Sequence, residues 1–593
     1  MGLRPARGVP RPPPVYSIAV EAMIHIEKSP GPRDGTTSRR SAARWTCRGS
    51  RVLVGGMALA AAGLAACTTG GRVNGRAEGR APRVGRDPVP AVHLIENHSS
   101  ALLLWRRAGV RNRILVHLDG HADLDWLPDE TIARIAAASP DELSGLERHP
   151  YATDGKTLRG YGVGNWIYPA ARLGMVRHLV WVVPDGTLPN RDAAIELTRE
   201  TLLTKIQMVT VEEARSLSVD GRVIHGVLLG LPVTVCELRD LEAIREPVLL
   251  DMDLDYFVTR SALTSETSET PRIGPEAVLE ALAFRGLRAD FATLSLSTLG
   301  GFLPPECRWL GRALQRMLVA PGRTATGAEG ERRAAEEELA SGRGDRAATI
   351  LRRLVGQDGE DPTLWYSLAT ALGVIGRDAE AAEARARAVA LDPVLAHDEL
   401  YRADRCWTGR RYADGVAGYR RYLRHAPSSP FAAYARRREA DCLMRLARDD
   451  EAIAAFRAAL RAAPDDGDSH FELGALLTSR GRIDEATREL ETARRLLPDR
   501  ASCALALGTA YAIAGRADEA MPQLEFAVDR QPCLGRARSS LAALLYRLGR
   551  YDEAAAHLEV AMELRPSPDP PTRELAAALT RRGVPLVRVS ARP

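Results

Sequence analysis

The chain of 593 residues is too long for a single hydrophobic core, so at least two domains are expected. Its formal net charge is +5, and residues 1–66 hold ten Lys and Arg against three Asp and Glu, a surplus of +7. The rest of the chain therefore has no surplus of positive charge for binding phosphate. Because it also has no nucleic-acid-binding motif, we do not expect nucleic acid as a partner. Eight scattered cysteines, with no Cys-x-x-Cys pair, argue against a thiolate zinc site and a disulfide framework.

The first predicted element is a leader over residues 1–66. Arginines between Arg39 and Arg51 precede the uncharged run Val52–Ala66, which is too short to span a bilayer and is typical of a signal peptide. It ends in Leu-Ala-Ala-Cys, which resembles the bacterial lipoprotein cleavage box and implies lipidation at Cys67. We therefore expect an exported lipoprotein, anchored in the membrane only by its lipid, with a flexible tether over residues 67–90. The alternatives are a chance cysteine after an apolar helix and a cytoplasmic protein.

The pattern of residues 91–320 predicts an α/β domain. Helical stretches over 192–204 and 275–284 alternate with short apolar runs rich in β-branched residues. Such fully apolar strands are typical of a parallel sheet covered by helices on both faces, so we expect a three-layer fold. The predicted strands lie at residues 92–95, 113–117, 178–183 and 247–250.

Polar residues concentrate where three of these runs stop. They are "ENH" at 96–98, "HLDGHADLDW" at 117–126 and "DMDLDYF" at 251–257. The carboxyl ends of parallel strands meet at one crevice, where the carboxylates would repel one another without cations. Carboxylates and imidazoles together are what divalent metals bind, so we predict a metal site; a charged surface turn is the alternative for each segment alone. His117 is expected to face the other way along its strand, either in the core or behind the metal ligands, and Asp125 to be a solvated turn residue.

The order of these residues resembles that of the arginase/deacetylase fold. In that fold, aspartates and a histidine alternate after one strand, and Asp-x-Asp follows a later strand. Ureohydrolases of that fold bind two manganese ions, whereas its deacetylases keep three ligands for a single zinc. The resemblance implies a binuclear site for two divalent ions, with Mn²⁺ expected. The six implied ligands are His98, Asp119, His121, Asp123, Asp251 and Asp253.

Four segments resemble the peptide arginases more closely, a subfamily once known only as an uncharacterised conserved family. They read "ENHSSALLLW", "VHLDGHADL", "GNWIYPA" and "LLDMDLDYF". The resemblance implies hydrolysis of arginine side chains in a peptide to ornithine and urea. The segment "FATLSLSTLGG" departs from the arginases of free arginine, which carry a guanidinium-binding glutamate there. Another amidohydrolase or deacetylase of the same fold is the first alternative, and a non-catalytic repeat-scaffold lipoprotein is the second.

Five residues receive candidate roles in hydrolysis. Asp123 is expected to orient the attacking water as well as to bind metal. His149 or Asp255 is expected to pass a proton to the leaving amine. Asn165, in a glycine-rich loop, and Glu306, beyond the Gly-Gly break, are candidates for binding substrate. The structural alternatives are an ordinary loop histidine at 149, a turn-capping aspartate at 255 and a turn asparagine at 165.

From residue 331 onward the pattern is helical and repeats about every 34 residues, as in the tetratricopeptide repeat. Small residues such as Gly474 and Gly508 allow two helices to pack closely, while Gly481 and Gly515 form the turn between them. We predict about seven repeats over residues 331–586, forming an all-α solenoid whose groove binds a peptide or protein. A scaffold that only rigidifies or oligomerises the protein is the alternative. Helix-ending prolines mark the period at Pro362, Pro393, Pro427, Pro464, Pro498, Pro532 and Pro566.

Overall fold

The computed structural model describes most of the chain from Arg83 onward. The leader, most of the predicted tether and the lipidation site Cys67 lie outside the described residues. Within the part that is described, no helix is both long enough and apolar enough to cross a bilayer. The described ranges are 83–153, 160–263, 266–268, 271–299, 301–322, 327–564 and 569–586.

An eight-stranded sheet forms the centre of the N-terminal domain. Its order is β1-β10-β7-β2-β3-β6-β5-β4, and β8 pairs with β9 in a separate ribbon. The strands are β1 (Ala91–Ile95), β2 (Arg113–Leu118), β3 (Val176–Val183), β4 (Ser218–Asp220), β5 (Val223–Leu228), β6 (Leu231–Glu237), β7 (Val248–Asp253), β8 (Thr259–Ser261), β9 (Glu266–Thr267) and β10 (Ala289–Ser295).

The sheet is mixed, so the prediction of a parallel sheet is wrong at one edge. The strands from β1 to β6 in the sheet order are parallel, whereas β5 is antiparallel to β6 and β4 is antiparallel to β5. The two-residue turn Leu229-Gly230 reverses the chain, with φ of 53° and 74°. Two positive φ angles are typical of a type I′ hairpin, and a leucine there gives no recognisable turn signal in the sequence.

Both faces of the sheet are covered by helices. Leu115 belongs to one hydrophobic core and its neighbour Val116 to the other, as expected when alternate side chains leave a strand on opposite sides. Helices α7 and α8 pack on the Val116 face, and α1 to α6 lie on the opposite face. Their bounds are α1 (Ala101–Arg107), α2 (Asp129–Ala137), α3 (Pro140–Ser144), α4 (Ile167–Arg172), α5 (Arg191–Leu197), α6 (Val211–Ser216), α7 (Pro275–Phe284) and α8 (Trp309–Val319).

The C-terminal half is helical, as predicted. Its described helices form seven consecutive antiparallel pairs, α9 with α10 through α21 with α22, and α23 packs against the last pair. The helices are α9 (Gly327–Ala340), α10 (Gly344–Gln357), α11 (Pro362–Val374), α12 (Asp378–Leu391), α13 (Asp398–Thr408), α14 (Tyr412–His425), α15 (Ala432–Arg445), α16 (Asp449–Ala462), α17 (Gly467–Ser479), α18 (Ile483–Leu496), α19 (Ala501–Ile513), α20 (Ala517–Arg530), α21 (Gly535–Arg547), α22 (Tyr551–Leu564) and α23 (Pro570–Arg581).

The helix pairs also contact the N-terminal domain. The backbone N–H of Met208 donates to the carbonyl of Arg530 at 2.8 Å. Cys533, next to α21, is buried in the hydrophobic core on the α1 face of the sheet. Arg215 of α6 binds both carboxylate oxygens of Glu563 at 2.9 Å. The sheet domain and the repeats therefore share a packed interface.

Glycines set the spacing within a helix pair. A Cβ atom at Gly474 of α17 would lie 2.6 Å from Cγ of Leu490 in α18. The same position of the next pair, Gly508, would place a Cβ 2.8 Å from Cγ of Leu524. Both leucines are fully buried, so neither has room to move aside.

We predict that Gly474→Ala destabilises the repeats by about 1–3 kcal/mol, because the added methyl group overpacks the pair. Gly356→Ala is the matched control, since Gly356 is helical and a Cβ there meets nothing within 4 Å. That substitution should stabilise by about 0.5–1 kcal/mol through helix propensity. Urea unfolding followed by circular dichroism measures both, and equal effects of the two substitutions would contradict the packing account.

Candidate metal centre

The three polar segments converge at one edge of the sheet. Strands β1, β10, β7 and β2 are consecutive neighbours and parallel, so their carboxyl ends lie side by side. His98 follows β1, Asp119 directly follows β2, and Asp253 is the last residue of β7. Sheet topology thus brings together residues that are far apart in the chain.

His98 lies among three aspartates. Its Nδ1 is 3.0 Å from Oδ2 of Asp253 and 3.3 Å from Oδ2 of Asp119, and its Nε2 is 2.7 Å from Oδ2 of Asp123. Burial by itself lowers the pKa of His98, but the charges of Asp123 and Asp253 outweigh burial and raise that pKa well above its usual value. One imidazole therefore joins all three polar segments.

His117 also faces the cluster, and the expectation that it points away is wrong. Its Nε2 is 3.0 Å from Oδ2 of Asp119, and its Nδ1 is 2.8 Å from Oδ2 of Asp251. Residues two apart in a strand share a face, so His117 and Asp119 follow the ordinary strand alternation. The other oxygen of Asp251 accepts a hydrogen bond from Thr293 of β10. Asp251 is thus bonded to two neighbouring strands beneath the cluster.

His121 and Asp255 form the more open side. His121 Nδ1 is 2.9 Å from Oδ2 of Asp255 and 3.4 Å from Oδ1 of Asp119, and the backbone N–H of Gly120 donates to Asp255. The side chain of His121 is 34% exposed, whereas those of Asp119 and Asp255 are buried. The ring of Phe302 meets His121 edge-on at 5.0 Å. Solvent therefore reaches the cluster past His121.

The donor atoms fit a divalent cation. Among the described residues, ligand atoms within 4.8 Å of one another form two groups that share Asp119. One group is His98, His117, Asp119 and Asp123, and the other is Asp119, His121 and Asp255. A buried polar atom without a partner is costly, and imidazole with carboxylate suits manganese, iron or zinc. Four buried atoms of the cluster have close imidazole–carboxylate contacts but make no hydrogen bond in the described part of the chain: His98 Nδ1, His117 Nε2, Asp119 Oδ2 and Asp255 Oδ2.

The carboxylates of the cluster differ in their proton affinity. Burial raises the pKa of Asp119, but His117 and the other imidazoles outweigh burial and hold that pKa well below its usual value. Burial and the charges of Asp255 and Asp119 raise the pKa of Asp253 well above its usual value. Burial and Asp119 likewise raise the pKa of Asp255. The cluster thus concentrates more negative charge than its imidazoles balance.

Two residues with left-handed backbone hold the carboxylates in place. Asp123 has φ of 48°, and its Oδ2 accepts a hydrogen bond from Trp166 Nε1 at 3.1 Å. Ser297, after β10, has φ of 44° and donates its hydroxyl to Oδ2 of Asp253 at 2.6 Å. Such conformations are uncommon outside glycine and cluster at functional sites. Trp166 and Ser297 were not predicted as site residues, although both occur in the segments quoted from the sequence.

Asn165 and His149, both candidate site residues, have partners outside the metal cluster. Asn165 Oδ1 accepts a hydrogen bond from the N–H of Gly162 at 2.8 Å, within its own turn. The ring of His149 stacks on Phe431 of the repeats at 5.4 Å, and burial lowers its pKa. His149 therefore lies at the contact with the repeats.

Glu306 and Asp125 are also bonded away from the cluster. Glu306, predicted to bind substrate, forms an ion pair with Arg402 of α13. Asp125 is partly buried rather than solvated, because its Oδ1 accepts from the N–H groups of Trp126 at 2.9 Å and Gln207 at 3.3 Å. Burial raises the pKa of Asp125.

Comparison with known proteins identifies the helical half. One model of the tetratricopeptide repeat matches residues 450–508, and a second matches residues 332–396, 402–467 and 505–568. These helix pairs are therefore tetratricopeptide repeats, an architecture that binds proteins. All of the matched residues lie C-terminal to the sheet domain.

Solved structures of TPR proteins are similar to about a third of the chain. TTC0263, a thermophilic TPR protein in Thermus thermophilus, is 24% identical over 31% of this chain and 98% of its own, with a TM-score of 0.26. YrrB, a TPR protein with an unusual peptide-binding site, is 20% identical over 32% of this chain and 96% of its own, with a TM-score of 0.24. No curated protein matches the chain significantly.

We predict opposite effects of two isosteric substitutions on the metal-free protein. Asp253→Asn should raise the melting temperature by about 2–4 °C, because it replaces a carboxyl group whose ionised form is disfavoured by burial and by the charges of Asp255 and Asp119. Asp119→Asn should lower the melting temperature, because Asp119 is the negative partner of three imidazoles. Thermal unfolding in excess chelator measures both, and a comparable loss in the two variants would contradict this charge balance.

Proposed function

We propose that the N-terminal domain is a hydrolase of C–N bonds that binds two divalent metal ions, Mn²⁺ first among them. The observation that carries the proposal is the packing of several buried aspartates around two buried imidazoles and the partly exposed His121, with four of the ligand atoms making no hydrogen bond among the described residues. Without cations this arrangement is costly, because the carboxylates repel one another and are shielded from water. Two cations would compensate the carboxylates that the imidazoles leave unbalanced.

We assign six residues to the two ions. One ion would be held by His98 and Asp123, and the other by His121 and Asp255. Asp119 and Asp253 would complete the donor set of both ions, since Asp119 contacts both imidazoles and Asp253 contacts His98 through Oδ2 and the backbone N–H of Asp255 through Oδ1.

This assignment differs in one ligand from the set that the resemblance implies. Asp255 replaces Asp251, because the oxygens of Asp251 face His117 and Thr293. Asp255 is then a ligand rather than the acid that protonates the leaving amine. Asp251 and His117 would support Asp119 from the strand side, as residues behind a metal ligand commonly do.

Two divalent ions at these residues would supply a shared water of lowered pKa at neutral pH. The residues of the chain set the geometry for its attack on carbon. The bonds from Trp166 to Asp123 and from Ser297 to Asp253 prevent those carboxylates from rotating. Asp123 is thereby fixed to orient the water, and substrate would enter at the open side beside His121.

The proposed substrate is an arginine side chain in a peptide or protein, which gives ornithine and urea. This choice rests on the sequence resemblance. The pairing of Glu306 with Arg402 removes the one acid suggested for guanidinium binding, which favours testing other amides as well. An amidohydrolase or deacetylase of the same fold is the alternative. The repeats are proposed to bind the peptide or a protein partner, and a lipid anchor at Cys67 rests on the leader sequence alone.

We predict about two Mn²⁺ ions per chain after reconstitution and desalting, measured by elemental analysis. Asp119→Ala should lose both ions, because Asp119 contacts the imidazoles assigned to both of them. Asp255→Ala should lose about one. Asp290→Ala is the control, since Asp290 is half-exposed, pairs with Arg113 and belongs to β10. Less than about one ion in the wild type, unchanged in Asp119→Ala, would rule out the centre.

We predict that the Mn²⁺-loaded full chain releases urea from arginine-containing peptides faster than from free arginine. The physical reason is that Glu306, the candidate carboxylate for binding the guanidinium, is paired with Arg402. Binding energy must therefore come from contacts of the peptide backbone or from the repeats, which free arginine lacks. Urea and ornithine are measured by a coupled assay and mass spectrometry, with acetylated amines in parallel. Acetate release without urea would move the assignment to a deacetylase.

A further inference from the structure

One loop after β10 contacts both the cluster and the repeats. We call residues 297–299 and 301–308 the bridging loop. At its start, Ser297 donates a hydrogen bond to Asp253, and farther along, the ring of Phe302 meets the ring of His121. The bridging loop therefore touches residues assigned to each of the two ions.

The same loop lies directly against α13 of the repeats. Gly301 has φ of 76°, and a Cβ atom on it would lie 2.6 Å from Cβ of Asp404 and 2.7 Å from the backbone N of Arg405. The carbonyl of Tyr401 would be 2.8 Å away. Leu299 is buried in the same hydrophobic cluster as Tyr401. No side chain fits between this loop and the helix, so the position of α13 fixes the loop backbone.

Arg308, at the end of the bridging loop, joins the cluster to the repeats by charge. Its side chain is only 6% exposed. Nη1 donates to Oε2 of Glu96 at 2.7 Å and to Oγ1 of Thr298 at 2.6 Å. Nη2 donates to Oδ2 of Asp392, which precedes the short turn before α13, at 2.6 Å. One buried guanidinium thus binds three groups from three parts of the chain.

Each of these groups is adjacent to a residue of the metal cluster or belongs to the repeats. Glu96 is two residues before His98, and its other oxygen accepts from the N–H of Thr298 at 3.1 Å. Thr298 follows Ser297, the donor to Asp253. The planar guanidinium fixes the directions of its bonds, so Asp392 constrains where Glu96 and Thr298 lie.

We propose that the repeats support the metal site from outside through the bridging loop, with Asp392 and Arg308 as positioning residues that set its metal affinity. Asp392 orients Arg308, and Arg308 holds the two segments that carry His98 and Ser297. This inference rests on the proposed function, because it concerns the affinity of the same cluster for metal. It gives the repeats a role within the chain in addition to binding a partner.

The test is calorimetric titration of the metal-free full chain with Mn²⁺. We expect Asp392→Asn to weaken binding about 10-fold, as loss of a residue behind the ligands commonly does. Arg308→Lys should weaken binding similarly, because an ammonium cannot make the same fixed set of bonds. The matched control is Asp361→Asn: Asp361 also precedes a proline at a helix start and binds a buried arginine, Arg332, at 3.0 Å. It should keep wild-type affinity.

The outcomes separate the inference from the proposed function. Failure of the wild type to bind Mn²⁺ would overturn the proposed function, and the inference with it. Wild-type binding with unchanged affinity in both Asp392→Asn and Arg308→Lys would overturn the inference alone. Equal weakening by Asp361→Asn would also overturn it, because the effect would then be a general loss of stability. Circular dichroism checks folding. Where Asp392→Asn does not fold, Thr298→Val replaces it in the comparison with the wild type, because it removes another bond of the Arg308 guanidinium.

Discussion

The burial of aspartates beside one another at the ends of β2 and β7, around His98 at the end of β1, is the constraint on which the rest of the site depends. Charged carboxylates leave water only when cations or donors compensate them. Three imidazoles, the Trp166 indole and the Ser297 hydroxyl compensate part of that charge. The two left-handed residues at the site persist because these bonds hold them in place. Two divalent cations are the remaining compensation that the donor set suits.

The repeats take part in this arrangement as well as adding a binding surface. Gly301 and Glu306 contact α13, and Arg308 binds Asp392 before the turn that precedes α13. Elsewhere in the sheet domain, Met208 contacts Arg530, the last residue of α20. Part of the repeat surface is therefore occupied by the protein's own N-terminal domain. A peptide or protein partner of the repeats must therefore use the remaining surface.

Periodicity made much of the fold predictable. The 34-residue spacing gave the helix pairs, and the apolar runs gave β1, β2, β3 and β7 at nearly their observed bounds. The hairpin of β5 and β6 was missed because its turn begins with Leu229, a residue that rarely adopts positive φ. The positions of the polar segments predicted their convergence, but not that the oxygens of Asp251 contact His117 and Thr293 while Asp255 contacts His121. The partners of Arg308 and Glu306 lie in the repeats, and contacts between distant segments leave no local pattern.

The central proposal is that this cluster binds two divalent cations, both of which Asp119 would help to hold. Anomalous diffraction from crystals of the Mn²⁺-loaded protein tests it most directly. The account predicts two peaks about 3.5–4 Å apart, one beside His98 and Asp123 and the other beside His121 and Asp255. A single peak, or none at the strand ends, would contradict it.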